Sequence, residues 1–128
     1  MFVRRHEVAV TTDGSGNATG YTPTLNGVIL AIRYVPHAST PLDTGADIVV
    51  SGNSSGIAVL TQANIGLSAR DWHPRAPTHG SADGAAALYA SGGVAVNDKI
   101  PVADEALKIA VANGVASKAG TFHVFVEG

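Results

Sequence analysis

Gly27-Val28-Ile29-Leu30-Ala31-Ile32-Arg33-Tyr34-Val35 is the most apolar stretch of this 128-residue chain. Its β-branched and aromatic content marks a strand, and the lack of clean alternation predicts a central strand covered on both faces. A central strand needs neighbours, and the flanking sequence supplies them. Upstream, Val3 to Thr12 reads as a first strand and Asp13-Gly14-Ser15-Gly16-Asn17 as a hairpin loop whose Gly and Asn tolerate positive φ. Ala18 to Thr22 is then expected to return antiparallel, until Pro23 ends that ladder or confines it to an edge. Downstream, a loop over Pro36 to Gly45 precedes two short strands, Ala46 to Ser51 and Gly56 to Thr61, joined as a hairpin through Gly52-Asn53-Ser54-Ser55. Leu67 to Trp72 reads as a further strand, closed by His73-Pro74-Arg75-Ala76-Pro77, where two prolines oppose regular pairing.

Further along, Ser81 to Gly93 has helix propensity, with Asp83 as N-cap and Gly92 as stop, enough for a turn or two. Leu107, Ile109 and Val111 alternate with Lys108, Ala110 and Ala112, a period of two. After a turn over Asn113 to Gly120, Thr121 to Val126 is expected to complete a C-terminal hairpin with Phe122, Val124 and Val126 on one face. Fifteen Gly and six Pro punctuate the apolar runs at the spacing of an all-β protein. The fold expected is therefore an all-β antiparallel β-sandwich, jelly-roll or immunoglobulin-like. It would have eight or nine short strands, at most one short helical turn, and one domain over residues 1–128.

Composition narrows the function classes. Charged residues are 14 %, where about 25 % is usual, and hydrophobic residues are 45 %. Disorder would show the reverse balance, and no apolar run approaches the ~18 to 20 residues of a membrane span, so no membrane partner is expected. The net charge of -2 and the scatter of the basic residues disfavour nucleic-acid binding. Without Cys there is no disulfide framework, thiolate nucleophile or Cys-based zinc site. Arg4 and Arg5 are followed by no apolar leader segment, so the chain is expected to be made and kept in the cytoplasm or delivered elsewhere as part of an assembly.

The densest polar cluster is Asp71-Trp72-His73-Pro74-Arg75-Ala76-Pro77-Thr78-His79. His73 and His79 match no common zinc spacing, so a partner contact through Trp72 and Arg75, residue types enriched at hot spots, is the better reading. His6 and His123 would form a two-histidine patch beside Glu7 if the first and last strands pair in that register. The Asp13 to Asn17 loop lacks the Glu that closes a calcium loop, Gly52 to Gly56 lacks a P-loop ending, and no Gly-x-Ser-x-Gly elbow precedes a helix. No catalytic residue, cofactor or metal is assigned, and no enzymatic activity is expected.

The order of Val8-Ala9-Val10-Thr11-Thr12-Asp13-Gly14-Ser15-Gly16, Tyr21-Thr22-Pro23, the Gly27 to Tyr34 run, Asp47-Ile48-Val49-Val50, Trp72-His73-Pro74-Arg75 and Gly120-Thr121-Phe122-His123-Val124-Phe125-Val126 resembles small virion proteins of tailed bacteriophages. That resemblance implies a non-enzymatic structural protein, a capsid decoration or cement protein that stabilises the shell as a homo-oligomer. Its partners would be itself and the phage major capsid protein, and its place the virion. The alternatives are a head-tail connector or tail component, or a carbohydrate-binding adhesion sandwich. Low charge suits a surface packed against neighbours, where unpaired charges are costly. Arg4, Arg5, Trp72, His73 and Arg75 are the candidate partner contacts.

Overall fold

Among the described residues ten strands follow in chain order: β1 (Val3–Thr11), β2 (Ala18–Tyr21), β3 (Leu25–Pro36), β4 (Asp47–Gly52), β5 (Ala58–Gln62), β6 (Arg70–Trp72), β7 (Arg75–Pro77), β8 (Asn97–Glu105), β9 (Leu107–Ala112) and β10 (Ala119–Glu127). They come from a computed structural model that describes residues 2–77, 88, 93 and 96–128. The Ser81 to Gly93 helical turn lies essentially outside the described residues. Every ladder between these strands is antiparallel, as expected of the sandwich.

The larger sheet runs β1-β10-β3-β8-β7, with β6 also on β3; the smaller runs β2-β9-β4-β5. The Gly27 to Val35 stretch does sit centrally. β10 pairs along one side of β3, while β8 and β6 share the other side, β8 from Leu25 to Ile29 and β6 from Ile32 to Tyr34. Its inward face, Ile29, Ile32 and Tyr34, is fully buried, whereas Leu30, Ala31 and Val35 are only half-covered. The expectation of two closed faces is thus met on one face only. One apolar cluster fills the space between the sheets, drawing Val8, Val10, Phe122, Val124, Ile48, Val50, Ile109 and Val111 from both.

Two expected hairpins are absent from the ladders. β1 pairs with β10 in the larger sheet, and β2 pairs with β9 in the smaller one. The loops over 13–17 and 113–118 are therefore arches that cross between sheets. Packing explains the first: a Cβ on Gly20 of β2 would stand 2.5 Å from Val8 Cγ1 and 2.9 Å from Val10 Cγ1, so β2 lies under the inner face of β1. The arches also lock onto each other. Thr12 Oγ1 donates to Val115 O at 2.5 Å and accepts from Lys118 N–H at 2.8 Å, and Gly114 N–H donates to Gly16 O at 2.9 Å. Two further strands lie where none was expected. Arg75-Ala76-Pro77 pairs with β8 despite its proline, because Pro77 sits at the end of a three-residue edge strand. β8 itself is broken up in sequence by Asp98, Lys99 and Pro101, which leave only Ile100 and Val102 as an apolar signal.

β8 passes almost directly into β9, turning from one sheet to the other at Ala106. Glu105, buried at this corner, accepts from the Ser54 and Ser55 N–H groups at 2.9 and 3.0 Å and so ties the corner to the β4–β5 turn. The backbone N–H and hydroxyl of Ser55, then the Ser54 N–H, hold its carboxyl below the usual value, against an opposing effect of desolvation. A depressed folded-state pKa stabilises above the unfolded value, and that stabilisation is lost as pH falls through the folded one. Glu105→Gln is accordingly expected to be less stable than the parent chain near neutral pH. The gap should begin to narrow below about pH 4 and close as pH falls through the lowered folded-state value, followed by urea denaturation across pH.

Candidate functional site

The outer face of the larger sheet carries the side chains that alternate with the core residues. Along β10, Thr121, His123 and Phe125 face out while Phe122, Val124 and Val126 face in. Register then aligns rows across the sheet: Arg5 beside Phe125 beside Ala31, and Glu7 beside His123 beside Arg33 beside Asp71. The second row carries a carboxylate at each end with an imidazole and a guanidinium between them. Arg33 Nη1 donates to Asp71 Oδ1 at 2.7 Å, His123 Nδ1 lies 3.6 Å from Glu7 Oε1, and Arg5 reaches the same oxygen at 3.7 Å. These pairs are mostly exposed, so each contributes little to stability, but they fix which guanidinium is occupied.

Beside this row the sheet forms an open concavity of about 420 Å³. Its floor is apolar: Val3 from β1, Leu30 and Ala31 from β3, and Phe125 from β10. A bulge at Phe125/Val126 shapes it, since Leu30 is the extra residue of β3 at that point. Arg33, Asp71, His73 and Arg75 form the rim. Arg75 is held in place by Nη1, which donates to Pro74 O at 2.7 Å and Leu30 O at 3.1 Å. Because the Asp71 carboxylate is engaged by Arg33, Arg75 and His73 are the rim groups that face an incoming anion. No hydroxyl, thiol or amine lines the concavity among the described residues.

The five candidate contacts divide. His73 and Arg75 meet at this rim. Arg5 is exposed and stands next to Phe125 on the outer face. Arg4 points to the other face of β1 and lines a smaller concavity of about 270 Å³ with His6, Thr24, Leu25, Asn26 and Val126. Trp72 is a correction: it is 9 % exposed, belongs to the core and carries Arg70 over its ring at 5.2 Å, so it offers no surface to a partner. The strand register also separates His6 from His123. β1 and β10 do pair, but His6 lies opposite Val124 and Glu7 opposite His123, which puts the two imidazoles on opposite faces. His79 lies outside the described residues. The residues missed in sequence are Val3, Leu30, Ala31, Arg33 and Phe125; Leu30 and Ala31 break the in-out alternation of β3, a signal read there only as burial.

No family model matches the sequence, and no curated protein matches it. A solved structure, the crystal structure of FLHE, is similar over 100 % of both chains, with a TM-score of 0.48 and 10 % sequence identity. The expected role is corrected here: the comparisons find FLHE and no virion component, and a capsid decoration or cement protein, with its connector, tail and glycan-binding alternatives, is not carried further.

Proposed function

We propose that this chain is a non-catalytic binding module whose outer-face concavity takes an extended segment of a partner protein. The observation that carries the reading is the pairing of an apolar floor, Val3, Leu30, Ala31 and Phe125, with a guanidinium anchored at its rim. A segment that suits it places a bulky apolar side chain on Phe125 and Ala31 and a carboxylate against Arg75, since charge-assisted Arg–carboxylate bonds are among the stronger polar contacts. Catalysis is disfavoured by the lining, which has no hydroxyl, thiol or amine and whose one carboxylate is engaged by Arg33. Selection from a random displayed-peptide library tests this. The expected outcome is enrichment of sequences combining a large apolar residue with Asp or Glu, and at least about tenfold weaker binding to Arg75→Ala and to Phe125→Ala. Peptides that bind both variants as well as the parent chain, or no enrichment, would overturn it.

A further inference from the structure

β1 ends the larger sheet, opposite the edge formed by β7 and β8. Among the described residues it pairs with β10 alone, so one side of its backbone has no strand partner. Which groups face that side follows from the ends of the ladder. Gly128 N–H donates to Phe2 O and Thr12 N–H donates to Lys118 O, so the even-numbered residues turn their backbone polar groups to β10. The odd-numbered residues, Val3, Arg5, Glu7, Ala9 and Thr11, turn theirs to the open side, with side chains on the outer face. An edge of this length is a template for another strand.

We propose that the strand it takes is β1 of a second copy, paired antiparallel about a two-fold axis at His6. Self-pairing must bring odd residues opposite odd residues, because only these carry free backbone groups. That parity leaves few registers, and charge separates them. An axis at Arg5 sets Arg5 against Arg5, and an axis at Glu7 sets Glu7 against Glu7; like charges directly opposite destabilise a sheet. An axis at His6 instead places Arg5 of each copy opposite Glu7 of the other. The same register lays Val3, 58 % exposed in the single chain, against Ala9 and sets Arg4 beside Val8. Both concavities then lie on one face of a continuous sheet, and the pair would present two binding sites side by side. The contact uses the backbone edge of β1 and shares only Val3 with the concavity, so its strand-edge test is read separately from the binding role above.

A contact of this size is smaller than a standard interface, and a dissociation constant of roughly 10 to 100 µM is expected. Sedimentation velocity at neutral pH and low salt, from about 10 µM to 1 mM chain, reads it directly. The parent chain is expected to show a concentration-dependent monomer–dimer equilibrium. Arg5→Glu and Glu7→Arg are each expected to weaken it about tenfold, and the double exchange to return it to within about threefold of the parent. Arg5→Pro removes an N–H that faces the open side and leaves the β1–β10 ladder intact, so it should remain folded by circular dichroism and be monomeric. A parent chain that stays monomeric up to about 1 mM overturns the proposal, as does a dimer indifferent to Arg5→Pro or a double exchange without recovery. Should Arg5→Pro lose its fold, the charge exchange decides.

Discussion

Gly27→Ala is expected to lower the unfolding free energy by roughly 3 kcal/mol or more, a large part of the stability of a domain this size. Gly27 holds φ at 134°, a conformation that a side chain makes costly by about 1–3 kcal/mol. The added Cβ would also be driven into the carbonyl oxygen of Glu127, which is backbone and has no rotamer to yield. Relief requires β3 and the end of β10 to move apart, just where Val28 pairs with Glu127. Gly14→Ala is the control. A Cβ at Gly14 meets nothing within 4 Å, and the change should stay within about 0.5 kcal/mol. Urea denaturation of both variants checks the pair; a Gly27→Ala loss below about 1 kcal/mol would contradict the close approach described here.

Phe122→Ala has the other large expected effect, a loss of roughly 3–5 kcal/mol, because truncating a buried aromatic removes its transfer energy and leaves a cavity. Phe122 is fully buried, and its ring centroid lies 5.2 Å from that of Tyr34, tilted by 34°. Tyr34 is anchored in turn, since its hydroxyl accepts from Leu42 N–H at 3.3 Å, and burial pushes its phenol up from the ordinary value. Gly120 leaves room for that ring: a Cβ there would stand 2.5 Å from Tyr34 Cε1. Phe125→Ala separates stability from binding. Three residues along the same strand but facing outward, Phe125 is half-buried, and its truncation should cost no more than about 1.5 kcal/mol while abolishing most of the peptide binding.

Much of the architecture was legible because burial leaves a period in the sequence. The β-branched run in β3 marked the centre of the sheet, and the alternation in β9 and β10 marked which side chains face the core. Partnering left no such trace. A Gly- and Asn-rich loop such as 13–17 serves a hairpin or an arch equally well, and only the packing of Gly20 beneath Val8 and Val10 decides between them. The same limit hid the concavity. Its floor joins residues 3, 30, 31 and 125, which no linear motif connects, and register alone places Glu7 rather than His6 beside His123. Trp72 shows the converse: a loop of prolines and charges suggested exposure, yet Trp72 pairs with Ile32 and its side chain turns inward.

Low charge takes on a specific meaning in this arrangement. Arg5, Glu7, Arg33, Asp71 and Arg75 lie along one face of the larger sheet, where they pair with one another or stand at the rim of an apolar floor. The measurement that bears most directly on the binding role is an amide-resolved NMR titration of the labelled chain with a synthetic peptide carrying the enriched apolar–acidic sequence. Shifts confined to Val3, Ala31, Arg33, His73, Arg75 and Phe125 are the expected result. Shifts centred on β4 and β5, or on the Arg4, His6 and Asn26 concavity, would contradict it.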